Sequence, residues 1–494
     1  MARQGVNFTE GPIFSHISTL SITSAIGLFA IFAVDLVDVF FIAMLGEPEL
    51  AAAVGFAGTA LFFGAAICIG LAIAVATVVA QAVGEESIRQ APDSVPDSVP
   101  GILKKGSTSS PASVRLATHG LTFIIMMTTP TMIISLIYAP WLIGLMGAEG
   151  QTLEFAVHYF RIVGSALPIL GIAMASTSLL RAVGEAKLAM WATIIGGLVN
   201  AILDPLLIFG LSLDLTGAAI ASVISRCTVA GFAIYFIAIR HNLLQMPDWS
   251  RFGSDIRQLT GIAIPSLITN LAGPFGAAYA TTQMARFGTD AVAAAAVIGR
   301  ISPVAFAGLY GLSGAVGPVA SQNMGAKQWR RVRQTLLSSG VFVSLYVVPV
   351  AIGMFLIQDV LVDVFDLEAE AAELLHFYCT FIVISYWLFG LQLAANPFFT
   401  ALRHPGFATI SNIGRDLCLG IPLIYLGSSW FGAPGVLAGQ AIGNMIAGVT
   451  AFSIALWLSR RVEKGLSIDL PFIALKQRWH FHRAVVPGVQ HRGD

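Results

Sequence analysis

Four side chains in the first half of the chain could together bind a small cation inside a membrane. Each lies within a long apolar stretch, and they are Asp38, Asn200, Asp204 and Ser222. Counted from the nearest predicted loop, the two carboxylates and the hydroxyl lie at a similar depth, about 12 Å for Asp38 at a helical rise of 1.5 Å per residue. Asn200 precedes Asp204 by four residues and therefore shares its helix face. Carboxylate, amide and hydroxyl oxygens at one depth suit H⁺ or Na⁺.

Other charged residues within apolar stretches permit a second interpretation. An ionisable group inside a membrane is costly and is a functional candidate by default. Asp35 lies one helical turn before Asp38, where it could share a proton with Asp38 or face water. The remaining charges are interpreted as structural, paired with each other or with backbone carbonyls, with a part in gating as the alternative: Arg226, Arg300, Arg415 and Asp416. The carboxylates at positions 38 and 204 could likewise be structural partners of these arginines.

Pro205 follows Asp204 directly. Proline removes a backbone hydrogen bond and bends a helix, so we predict a kink beside the candidate site. Proline is frequent in transmembrane helices, so the kink alone does not identify a site.

The elements that position these residues follow from composition. The chain has 494 residues, of which 56% are hydrophobic and 11% are charged, whereas soluble domains carry about 25% charged residues. We therefore predict an all-α polytopic membrane protein. Its 27 basic and 27 acidic residues balance, so no nucleic-acid partner is expected. The four cysteines are widely separated in apolar runs, and neither a disulfide nor a structural metal is expected.

Apolar runs of at least about 20 residues predict twelve transmembrane helices. Their expected ranges are 16–44, 50–83, 113–145, 152–182, 187–211, 216–240, 258–287, 290–324, 333–357, 374–401, 406–428 and 434–459. Basic residues gather in alternate connections and in the C-terminal tail, whereas the other connections are acidic. Because basic loops stay in the cytoplasm, we predict an inner (plasma) membrane protein with both termini cytoplasmic.

The chain also repeats itself. Three features of the first half recur at an offset of 241 residues, and the pairs are Gly70 with Gly311, Gln81 with Gln322 and Gly84 with Gly325. Further along, LLRAVGEA at 179–186 is echoed by ALRHPGFA at 401–408. We predict two six-helix bundles, 1–240 and 241–461, with substrate between them, a plan used by secondary transporters.

Two segments stand outside the repeat. Residues 86–112 are rich in proline and serine and are predicted to form a disordered cytoplasmic insert. Residues 462–494 are polar and basic and are predicted to form a cytoplasmic tail.

The sequence resembles the multidrug and toxic compound extrusion (MATE) family. The resemblance is carried by DVFFIAMLGEPELAAAVG at 38–55, LLRAVGEAKLA, NAILDPLLIFG and PVASQNMGAKQWRRV at 318–332. It implies a V-shaped pair of six-helix bundles that exports organic cations and amphipathic drugs in exchange for H⁺ or Na⁺, without a cofactor. These motifs resemble those of the branch of the family that includes the DNA-damage-inducible F proteins.

In that branch, the resemblance implies an ion site in the N-terminal bundle at Asp38, Asn200, Asp204 and Ser222. Gly273 occupies the position at which members that couple through the C-terminal bundle carry glutamate. Ser222 replaces the usual threonine and Asp35 is an additional acid, so the choice between H⁺ and Na⁺ (bound at Asp38, Asn200 and Asp204) stays open.

The predicted function is secondary active efflux of small organic molecules by alternating access, by a monomer that contacts membrane lipid. A flippase for lipids or lipid-linked oligosaccharides is one alternative. It is disfavoured because such a protein needs a basic cavity for phosphate, whereas the outer half of the predicted membrane region is acidic. A membrane-embedded enzyme is the other, and it is disfavoured because the histidines are scattered.

Overall fold

The computed structural model describes residues 8–45, 48–90, 111–365 and 367–464, and in these ranges the chain forms helices joined by short turns, with no strand. Spans 1 to 6 are Ile13–Ala43; Pro48–Gln90; Ala112–Ile137 continued by Ala139–Leu145; Gly150–Ser165 with Leu167–Ala182; Ala186–Pro205 with Leu206–Gly210; and Asp214–Tyr235 with Phe236–Arg240. Spans 7 to 10 are Trp249–Met284 with Ala285–Phe287; Thr289–Ala305 with Ala307–Gly325; Trp329–Val364; and Ala369–Phe377 with Tyr378–Ile382, Val383–Ser385 and Tyr386–Ala401. The last helical stretch contains Pro405–Ile413, Gly414–Gly420 and Ile421–Glu463.

Twelve membrane crossings account for these helices. In the described part of the chain, nine helices are long and apolar enough to cross a membrane, and two more crossings are helix pairs bent by 48°. The stretch Pro405–Glu463 has 59 residues, which would measure about 89 Å if straight. It reverses at Gly432, where φ is 65°, and the backbones of Gly427 and Gly435 touch across the resulting hairpin. This stretch therefore supplies spans 11 and 12, and the all-α fold of twelve helices is confirmed.

The two ends of the 86–112 segment differ from the prediction of a disordered insert. Span 2 continues through Gln90, and span 3 begins at Ala112. Glu86 accepts hydrogen bonds from the backbone nitrogen (2.9 Å) and the hydroxyl (2.8 Å) of Ser113. A carboxylate at the start of a helix satisfies free N–H groups and interacts favourably with the helix dipole, so Glu86 is part of the fold. Residues 91–110 and the tail from 465 lie outside the described residues.

Spans 1 to 6 and spans 7 to 12 form two lobes, which we call the N-lobe and the C-lobe. Span 1 packs against span 8, and span 2 packs against spans 7 and 8. The repeated glycines lie at these contacts: a Cβ at Gly70 would press on Leu267 of span 7, and a Cβ at Gly311 would overlap the backbone of Ser21 and Ala25 in span 1. The glycines that recur in the internal repeat are therefore residues that let helices of different lobes approach closely. The domain boundaries at 240 and 461 stay a prediction.

Candidate ion-binding site

Three of the four predicted residues meet between spans 1 and 5. The Nδ2 atom of Asn200 donates one hydrogen bond to Asp38 Oδ1 at 2.8 Å and another to Asp204 Oδ2 at 2.9 Å. The carboxyl groups of Asp38 and Asp204 also interact directly. Asn200 is 3% exposed and Asp204 is fully buried, whereas Asp38 is half-buried. One amide therefore bridges two carboxyl groups from different helices.

Local sequence explains why spans 1 and 5 can meet here. Asn200 and Asp204 are four residues apart on the continuous helix Ala186–Pro205, which places both on the face towards span 1. Gly197, one turn before, has no side chain, and a Cβ there would lie 3.0 Å from the Val34 side chain. A larger residue at this position would hold span 1 away from the bridging amide.

The paired carboxyl groups are chemically suited to bind a proton. The Oδ1 atom of Asp204 is buried and accepts no hydrogen bond from the described residues. A buried carboxylate oxygen without a partner is costly, and two adjacent carboxyl groups resist ionising together. A proton on either carboxyl group removes one charge and supplies a donor.

Ser222, the fourth predicted residue, lies beside the cluster and contacts a tyrosine. Its hydroxyl interacts with the hydroxyl of Tyr159 in span 4, and Tyr159 in turn experiences the charges of Asp38 and Asp204. Tyr159 is 8% exposed. The sequence interpretation missed this residue, although a tyrosine hydroxyl buried in an apolar segment generally needs a partner.

Pro205 and Asp35 flank the cluster. Immediately after Pro205 the helix widens into one π-helical turn, Leu206–Gly210, where Leu211 N bonds to Leu206 O at 3.0 Å. A π turn therefore follows the proline beside the site, and the kink expected at Pro205 stays a prediction. Asp35 lies on span 1, but its side chain is outside the described residues, so its role stays a prediction.

The intramembrane arginines have different environments. Arg226 donates to the carbonyl oxygen of Val163 at 3.0 Å, near the bend of span 4. Arg415 forms a two-pronged pair with Asp416, at 2.7 and 2.9 Å. Arg300, by contrast, is exposed, and among the residues that the structure describes it forms no hydrogen bond or ion pair, so its expected pairing with a carboxylate or carbonyl stays a prediction. Structural and gating roles for the four charges remain predictions.

The C-lobe holds a cavity of about 180 Å³ around the Arg415–Asp416 pair. Its lining includes aromatic and amide side chains as well as two glycines: Gly273, Gly276, Tyr310, Tyr386, Phe389, Gln440 and Asn444. The Arg415 guanidinium also lies over the Phe389 ring, 5.1 Å from its centroid. The C-lobe thus contains a polar cavity of a kind different from the N-lobe cluster.

Two lobes of membrane-length helices, with spans that are bent or π-distorted, are typical of secondary transporters. Comparison with known proteins agrees. Residues 24–98, 109–206 and 265–426 match the MatE family, so the chain belongs to the MatE family of transporters.

Similar proteins extend this assignment. The chain is 27% identical over 452 residues to a protein named FAD transporter from Shewanella oneidensis, covering 90% of this chain and 95% of that protein. It is 24% identical over 339 residues to the multidrug export protein MepA of Staphylococcus aureus, covering 67% and 73%. A MATE transporter structure from Vibrio cholerae matches with a TM-score of 0.82 at 22% identity, over 91% of this chain and 97% of that one. The protein is thus an efflux transporter of the MATE type and not an enzyme.

Proposed function

We propose that this protein exports small, cationic or amphipathic organic molecules in exchange for H⁺, which binds at the carboxyl pair of Asp38 and Asp204. The observation that carries the proposal is the bridging amide, which donates to both carboxyl groups at 2.8 and 2.9 Å. Since the bridge presents nitrogen and not oxygen to both groups, it suits a shared proton better than a Na⁺, which binds oxygen ligands.

The mechanism follows from the charge of this pair. With one proton bound, the pair carries one negative charge, and span 1 and span 5 are held together through Asn200. Loss of that proton leaves two carboxylates side by side, which repel each other and favour an arrangement in which span 1 moves relative to span 5. An ion and a substrate that prefer different arrangements of the same helix are coupled through that helix. Tyr159 and Ser222 line the same region and can bond to either state.

Orientation in the membrane forms part of the proposal. The described end of the N-terminus contacts Gln322 and Arg331, so it lies at the same end of the molecule as the basic turn after span 8. We propose that this end faces the cytoplasm of the plasma (inner) membrane, because basic residues are retained there. The monomeric state and the contact with lipid stay predictions.

Efflux from inverted membrane vesicles tests the proposal. Vesicles containing the protein should accumulate a fluorescent organic cation when a pH gradient, acidic inside, is imposed in Na⁺-free buffer. Asp204→Asn should abolish this uptake, because the remaining carboxyl group no longer has an acidic partner. Asp416→Asn, which removes an intramembrane carboxylate from the other lobe, should retain most of it. Uptake driven only by a Na⁺ gradient would replace H⁺ by Na⁺ in the proposal, and unchanged uptake by Asp204→Asn would refute the site.

A flavin nucleotide is a second candidate substrate, favoured by the relative named FAD transporter, which covers 90% of this chain. The C-lobe cavity of about 180 Å³ is large enough for only part of such a molecule, but its lining includes groups that suit a flavin ring or a phosphate, namely the aromatic rings of Tyr310 and Tyr386 and the guanidinium of Arg415. Direct uptake decides between the two: under the same pH gradient, inverted vesicles should accumulate the organic cation and not FAD if cations are the substrate, and FAD and not the cation if flavin nucleotides are.

A further inference from the structure

Two buried glutamines join the lobes at the end assigned to the cytoplasm. Gln81 on span 2 is 2% exposed and Gln322 on span 8 is fully buried. Gln81 Nε2 donates to the carbonyl oxygen of Ala401, the last residue of span 10, at 3.0 Å. Gln322 Nε2 donates to the carbonyl oxygen of Ala182, the last residue of span 4, at 2.7 Å. Each glutamine therefore reaches into the opposite lobe and binds the end of a helix there.

The two contacts are equivalent under the internal repeat. Gln81 and Gln322 are a repeated pair in the sequence. Their acceptors correspond as well, because Ala182 and Ala401 each end a helix that is followed two residues later by a positive φ, 86° at Gly184 and 63° at Arg403. A free carbonyl at a helix end needs a donor from outside the helix, and the amide of each glutamine supplies it.

The acceptor oxygen of each amide is also occupied, but by different groups. Arg403 Nε donates to Gln81 Oε1 at 2.8 Å. The backbone nitrogen of Phe8 donates to Gln322 Oε1 at 3.0 Å. Phe8 is held in turn by Arg331, whose guanidinium donates to its carbonyl oxygen at 2.9 Å. The backbone nitrogen of Phe8 therefore occupies the same place at Gln322 as the guanidinium of Arg403 does at Gln81. Each donates a hydrogen bond to the amide oxygen of its glutamine.

Close helix contact accompanies the hydrogen bonds. Gly84 and Gly325 lie one turn after the two glutamines. A Cβ at Gly84 would overlap the carbonyl oxygen of Gln322, and a Cβ at Gly325 would overlap the carbonyl oxygen of Gln81. Spans 2 and 8 can therefore cross in this way only with glycine at both positions.

We infer that Gln81 and Gln322 are a pair of symmetric clamps that close the cytoplasmic end between the lobes and must both release for the transporter to open there. Hydrogen bonds are suited to this task, because water replaces the partners when the lobes separate and the net stabilisation of each bond is modest. The contact can then open and close within a transport cycle, whereas a large apolar seam would resist opening. The inference goes beyond ion coupling and does not depend on which ion or substrate is used.

Distance measurements between the lobes test the clamps without transport or ions. Spin labels are placed at Lys187, at the start of span 5, and at Arg330, at the start of span 9, both exposed. The exposed native cysteines, Cys227 and Cys418, are replaced by serine. In the purified protein, Gln81→Ala combined with Gln322→Ala removes four hydrogen bonds between the lobes. We expect the ratio of long to short distances, measured by double electron–electron resonance, to rise by at least roughly tenfold.

Two further variants make the result decisive. Gln334→Ala is the matched control, since Gln334 lies at the same end but is exposed, and it should leave the distance distribution unchanged. Gly84→Ala keeps both glutamines but blocks the close crossing, so it should shift the distribution in the same direction as the double glutamine variant, and it serves alone if that variant does not fold. Distributions that match the Gln334→Ala control in the folded glutamine variant, or in Gly84→Ala, would overturn the inference.

Discussion

Replacing Asp38 by asparagine should abolish proton-coupled transport and leave the fold intact. The oxygens of Asp38 and Asp204 lie 2.8 and 2.9 Å from one nitrogen of Asn200, so they are less than about 6 Å apart. Two unit charges about 6 Å apart, at an effective dielectric constant of about 20, repel by about 3 kcal/mol. That energy disfavours the doubly ionised pair roughly 100-fold. The substitution removes this repulsion and with it the reason to bind and release a proton.

The fold should tolerate the change. Asparagine has the shape of aspartate and retains an oxygen that can accept the hydrogen bond from Asn200. We therefore expect Asp38→Asn to insert normally, with a melting temperature no lower than that of the parent protein. Its uptake of a fluorescent organic cation into inverted vesicles under a pH gradient should fall to the level of vesicles without the transporter.

The control is Asp359→Asn, which removes a carboxylate that is 83% exposed and is paired only with His376 among the described residues. It should transport like the parent. Gradient-driven uptake by Asp38→Asn at the parental rate would refute the argument from paired charges, as would a large loss of melting temperature, which would show that the aspartate is needed for folding.

Further predictions concern Tyr159, residues 91–110 and the orientation of the chain in the membrane. Tyr159→Phe removes the hydroxyl that interacts with Ser222 and should slow pH-driven uptake by roughly three- to tenfold, the effect of one lost hydrogen bond, with expression unchanged; uptake at the parental rate would remove Tyr159 from the site. Replacing residues 91–110 by a short flexible linker should retain most uptake, since long loops add little closure entropy, and complete loss with normal insertion would assign these residues a role. A cysteine at Met246, which is 90% exposed, should react with an impermeant maleimide only from the cytoplasmic side, and one at Trp430, 71% exposed, only from the outside; reaction of both from one side would contradict the proposed orientation.

The fold could be predicted from the sequence because its signals are long and repeated. Apolar segments of membrane length predicted twelve crossings whose limits differ from the observed helices by a few residues at most ends. The larger differences are in span 7, which begins earlier, at Trp249, and in spans 2 and 9, which end later, at Gln90 and Val364. The register of the later repeat was harder to predict. The echo between 179–186 and 401–408 suggests one alignment, but the helix ends at Ala182 and Ala401 are equivalent in the structure, three residues out of that register.

The candidate site was partly predictable for a physical reason. Asp38 and Asp204 are conspicuous because charge is rare in apolar segments, and the spacing of Asn200 from Asp204 fixes a shared helix face. Tyr159 was missed because its aromatic ring is ordinary in such a segment, and the direction of its hydroxyl depends on packing between spans 4 and 6. The exposed position of Arg300 likewise depends on how its helix is rotated, which composition does not determine.

The sequence predicts that the two glutamines are equivalent but does not predict their contacts. The sequence shows that Gln81 and Gln322 recur with Gly84 and Gly325. It does not show that each amide binds the end of a helix in the opposite lobe, because that contact depends on how the lobes face each other.

Proton release upon substrate binding tests the central claim most directly. Purified protein in weakly buffered, Na⁺-free solution is mixed with a saturating organic cation, and the released protons are counted with a pH-sensitive dye. If Asp38 and Asp204 share one exchangeable proton, the parent should release about one proton per chain, whereas Asp38→Asn should release none. Binding of the cation without proton release by the parent, or equal release by Asp38→Asn, would contradict the account.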